Sequence, residues 1–86
     1  MKLQAAVIRE QGQTFAVVLV KPHVLANSSQ AAKSQTNFLP FFPGMPVVLA
    51  AQFSTGMRYF GRHDLSRFLA SISVNRIPWR SYSFAG

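Results

Sequence analysis

The sequence predicts a small α+β domain, a two-layer sandwich in which an antiparallel sheet of four or five strands carries two helices on one face. Three observations lead there. β-Branched and aromatic residues gather in four short runs bounded by Gly, Pro or small polar residues. Two of the breaks hold a glycine placed to turn a hairpin. One later segment repeats apolar residues at helical spacing.

Residues 3–9 (LQAAVIR) and 14–20 (TFAVVLV) flank EQGQ, where Gly12 supplies the positive φ of a tight reversal. Pro22 offers no donor to a ladder and ends the second strand. In NSSQAAKSQTNFL, Asn27 or Ser28 caps a first helix, and Ala31, Ala32, Gln35, Phe38 and Leu39 share one side. Its Ser, Thr and Asn residues are weak helix formers, so this helix is expected to be short or loose. PFFPGMP reads as a connector, with Phe41 and Phe42 tucked under a sheet edge.

Residues 47–53 (VVLAAQF) and 57–61 (MRYFG) form a second hairpin turned at Gly56. Asp64 is placed to cap a second helix, in which Leu65, Phe68, Leu69 and Ile72 fall on one face. WRSYSF (79–84) alternates as a last strand would. The order is therefore ββαββα with an optional final strand. Leaving out the first strand gives βαββαβ, a ferredoxin-like sandwich, as the alternative. Two hairpins each leading to a helix suggest a duplicated unit, although residue identity between the halves does not support one.

The 86 residues make a single domain, 1–86. Apolar residues form 49% of the chain and charged residues 13%, about half the usual charged share of about 25%. Such a chain folds, and it has little charge with which to cover its surface. That charge is one-sided: nine Lys and Arg face Glu10 and Asp64, for a net +7. A field of this sign attracts polyanions such as nucleic acid.

The absence of cysteine excludes disulfides, thiolate metal sites and cysteine nucleophiles. Arg9 and Glu10 interrupt the N-terminal apolar run before it reaches signal-peptide length, and FAVVLV and VVLAA are too short to span a bilayer. The expectation is a cytoplasmic protein without a membrane span.

The two strands 15–20 and 47–53 are apolar on both faces. With helices on one side only, the other face needs a cover, which the C-terminal WRSYSF tail, a second copy of the chain or another protein would supply, the last two being favoured. Phe41, Phe42, Val18, Val20, Val48 and Trp79 are the candidate interface residues. The leading expectation is accordingly a non-catalytic module that binds protein, or itself as a homo-oligomer, through an apolar sheet face.

The alternative is a binder of single-stranded RNA or DNA. In GMRYFGRHDLSRFLASI, Arg58, Phe60 and Arg62 recur at period two, so guanidinium groups flank an aromatic ring on one strand face. Tyr59, Arg67, Arg76 and Arg80 complete the candidate set, with Trp79 as a further stacking platform. The same pattern is also that of an edge strand protected by its arginines. The stretch lacks the basic-Gly-aromatic-Gly-aromatic signature of the RNA-recognition motif.

An enzyme built on His63 ranks last. His63 and Asp64 are adjacent and diverge at a helix start, and Glu10 is expected at the far end of the sheet from them. Two acids leave too few ligands for a metal-carboxylate nuclease, and no phosphate-cradling glycine loop is present. Neither a cofactor nor a metal is expected.

Overall fold

The structure, a computed structural model, describes residues 2–10 and 12–83. Five strands form one sheet: β1 (Lys2–Glu10), β2 (Gln13–Leu19), β3 (Val47–Phe53), β4 (Gly56–Phe60) and β5 (Arg80–Ser83). Two main helices, α2 (Ser28–Phe38) and α3 (His63–Ala70), and a single turn, α1 (Pro22–Leu25), complete an α+β fold. Strand and helix order agree with the sequence reading, and the last strand is present over Arg80–Ser83. Phe84, which the expected strand included, lies outside the described residues.

The sheet order is β4-β3-β2-β1-β5. β1 pairs antiparallel with β2 through Ala5↔Val18 to Glu10↔Gln13, and β3 pairs antiparallel with β4 through Leu49↔Phe60 to Phe53↔Gly56. These are the two expected hairpins. Gly12 turns the first at φ 78, the conformation for which glycine is chosen.

Two expectations are corrected. The sheet is mixed, not antiparallel, because β2 and β3 lie side by side in parallel, Ala16 opposite Val47 and Leu19 opposite Ala50. A parallel pair needs a long crossover, and residues 20–46, with α1 and α2, provide it. Secondly, the helices lie on opposite faces. Leu65 and Leu69 of α3 pack with Ala6, Phe15, Val17, Val48 and Ala50. Ala31 of α2 packs with the alternate residues Ala5, Ala16, Val18, Val47 and Leu49.

The architecture is thus three layers, and the ferredoxin-like alternative, with both helices on one face, does not hold. The physical reason was present in β2 and β3: strands apolar on both sides are the mark of a sheet centre covered on both sides. The hairpins are also not equivalent, since the first sends its second strand to the sheet centre and the second its first.

Local chemistry explains each cover. Asn27 caps α2 as expected, its side chain accepting from the Gln30 N–H at 3.1 Å. α1 was not foreseen; Pro22 occupies its first turn, where a missing N–H costs nothing. Gln35 Nε2 donates to the Val47 carbonyl at 2.6 Å, tying α2 to the start of β3. Phe42 is buried and meets Tyr82 of β5 edge-on, with ring centroids 5.8 Å apart. On the α3 face, Ile77 and Trp79 extend the cover beyond the helix, and Trp79 Nε1 donates to the Val74 carbonyl. No helix among the described residues is long and apolar enough to cross a membrane.

Candidate nucleic-acid interface

Strand β4 is one outer strand of the sheet, and strand parity sorts its side chains. Phe60 packs with the α2-face cluster, whereas Met57 and Tyr59 pack with the α3-face cluster. Arg58 is therefore on the α2 side with Phe60, as expected. Burial raises the pKa of the Tyr59 phenol, so this ring belongs to the core side of its strand.

Arg58 is exposed, and its guanidinium carbon lies 4.7 Å from the ring centroid of Phe53. Phe53 was not among the sequence candidates. Its pairing with Gly56 across the hairpin places it diagonal to Arg58 on the same face, a relation the turn length already contained. A cation over a ring at this distance is an attractive contact that leaves the guanidinium edge free to meet an anion. Beyond Phe60, a shallow groove of ≈ 410 Å³ is lined by Gln35, Thr36, Leu39 and Pro46. Leu39 is among the most exposed large apolar residues described, at 43%.

Arg62 does not continue this row. Gly61 takes φ 158 where the chain leaves the strand, and a Cβ there would stand 3.1 Å from Val48 Cα. The close approach ends the alternation. Arg62 then forms a two-pronged bond with Asp64, Nε to Oδ1 at 2.8 Å and Nη2 to Oδ2 at 2.7 Å. Its Nη1 also reaches Gln13 Oε1 at 3.4 Å, linking the first hairpin to the start of α3.

Asp64 consequently is not the N-cap. Arg62 occupies that position without a side-chain cap bond, and Asp64 sits in the first turn, where the helix dipole favours a carboxylate. The Arg62 hydrogen bond holds the Asp64 carboxyl at about 2, below its ordinary 3.8. Glu10, expected at the far end of the sheet, lines the same ≈ 490 Å³ cleft as Asp64, Gln13, Arg62 and Arg67. β1 and β4 run in the same direction, so their C-terminal ends coincide.

The remaining candidates are dispersed. Arg67 is exposed on α3, and Arg76 is exposed in the 3₁₀ turn that follows it. Arg80 lies on β5, at the opposite edge from Arg58, about 19 Å away across four strand spacings of about 4.8 Å. Trp79 is half-buried in the α3-face cluster, and its indole N–H is already bonded.

The residues assigned to an apolar interface fare differently. Val18 and Val48 are 0% exposed and Phe42 4%, so none of the three offers a surface. Phe41 and Val20 are half-buried against the α2-face cluster. The sheet face thought to need a partner is covered by the chain's own helices. Among the described residues, no three His, Asp or Glu side chains cluster as metal ligands would, and His63 stands exposed at the start of α3.

No protein family, curated protein or solved structure matches the chain.

Proposed function

We propose that the protein is a non-catalytic module that binds single-stranded nucleic acid, with its primary contact along the α2 side of β4. Arg58 would meet phosphate, and Phe53 and Phe60 would offer faces for bases. The observation that carries this reading is the state of the charge. Of nine basic side chains, only Arg62 pairs with a carboxylate among the described residues. The others contribute a positive field that no carboxylate among the described residues neutralises.

The test is an anisotropy titration of nucleic-acid-free protein against labelled single- and double-stranded oligonucleotides at several salt concentrations. The expected result is tighter binding to single strands, falling steeply with salt. Phe60→Ala should weaken it by about 1–3 kcal/mol, the usual worth of a stacked base. Arg58→Ala should weaken it and reduce the salt slope by about one. No binding at low salt would overturn the reading.

A second reading, association with another protein chain or a second copy, has one observation in its favour. β5 pairs only with Lys2–Ala5 of β1. No described strand covers the outer edge of β1 beyond Ala5, where Val7 is 40% exposed. An open edge beside an exposed apolar side chain is a template for strand addition. Sedimentation velocity across a concentration series distinguishes the two, because this reading requires a species heavier than one chain. A cytoplasmic location goes with either reading.

A further inference from the structure

Away from β4, where β1 begins and β2 ends, a groove of ≈ 570 Å³ wraps the end of the sheet, lined by Leu3, Val20 and Phe38 of the α2 face and by Leu19 of the α3 face. The size lies within the range of small-molecule sites, about 300–1,000 Å³. Leu3, Val20, Val24 and Phe38 line it as half-buried side chains that pack on the buried core beneath. Lys2, Lys21 and His23 stand exposed around it, and no carboxylate side chain lines it. An apolar floor with ammonium groups at its mouth is complementary to a molecule with an aliphatic chain and an anionic head.

We propose that this groove binds a free medium-chain carboxylate, its headgroup held between Lys2 and Lys21 and its chain laid along Leu3, Val20 and Phe38. A nucleotide base has less to stack on, since the rings lining the groove are Phe38, which packs against Phe41 with centroids 6.4 Å apart, and the exposed His23 imidazole. A membrane surface also fits less well. It is gripped by protruding apolar side chains, and the exposed large apolar residues described, Val7 and Leu39, do not line this groove.

The test uses the whole chain, labelled with ¹⁵N and titrated with decanoate below its micellar concentration. Saturable shifts are expected at the amides of Val20, Lys21, His23, Val24 and Phe38. Octanoate, shorter by two methylenes, should bind about tenfold more weakly, and decyltrimethylammonium should not saturate the same amides. Replacing both lysines, Lys2→Gln with Lys21→Gln, should weaken decanoate at least fivefold while thermal unfolding stays cooperative. Absence of saturable shifts, shifts that map elsewhere, or equal affinity for the cationic amphiphile would each overturn the proposal. So would binding to phosphatidylglycerol vesicles without binding to free decanoate, which would make the occupant a lipid surface.

Discussion

Arg62 and Asp64 neutralise each other at the start of α3, so the arginine that follows the aromatic strip in sequence is withheld from a polyanion. Asp64→Asn removes the carboxylate, releases Arg62 and raises the net charge by one. We expect about threefold tighter binding of a single-stranded oligonucleotide at low salt, with the gain lost at high salt as screening sets in. The same pair also bears on stability. Its folded-state carboxyl value, about 2, lies below the ordinary 3.8, so the stabilisation is present above about pH 4 and lost as pH falls through about 2. Both side chains are more than half exposed, which keeps the effect small. Stability-against-pH curves of the parent and Asp64→Asn should differ by a small constant amount above about pH 4 and converge as pH falls through about 2, because the variant lacks this part of the slope.

Among the elements, α3 was the most legible because its apolar residues recur at 3.6-residue spacing. Leu65 and Leu69 are buried, with Phe68 and Ile72 packed beside them. Leu69→Ala should cost about 2–5 kcal/mol, a large part of the stability of a domain this small. Urea unfolding measures it as a lowered midpoint with an unchanged slope. α1 was not legible, since four residues show no periodicity and one turn is held by its surroundings.

The parallel pairing of β2 and β3 was hidden for a different reason. Alternation along a strand tells which residues share a face and nothing about which strand lies beside it. The apolar character of both faces announces central strands, and it points to a missing partner only when both helices are expected on one side. At the site, period two correctly joined Arg58 to Phe60. It failed at Arg62, where Gly61 breaks the strand, and it passed over Phe53, whose place beside Arg58 depends on hairpin register.

Across the whole molecule, positive charge is spread over both sheet edges and the outer surface of α3 rather than gathered in one patch. Arg58 and Arg80 occupy opposite edges. A ligand lying along β4 should therefore feel Arg80 only through the long-range field. Arg80→Ala should reduce affinity by less than half the effect of Arg58→Ala, expressed as free energy, and chiefly through the association rate. Stopped-flow binding of the two variants against the same oligonucleotide tests this directly.

The strap from α3 to β5 has a consequence for how the chain reaches this shape. Each hairpin is made of neighbours in sequence, whereas the β2–β3 pair waits for residues 20–46 to close. β5 then returns to the outer edge of β1, pairing with Lys2–Ala5. The second half of the polypeptide thus fastens the free side of the first. A chain emerging from the ribosome can complete its hairpins in turn, but the β1–β5 ladder forms only after β5 has been synthesised.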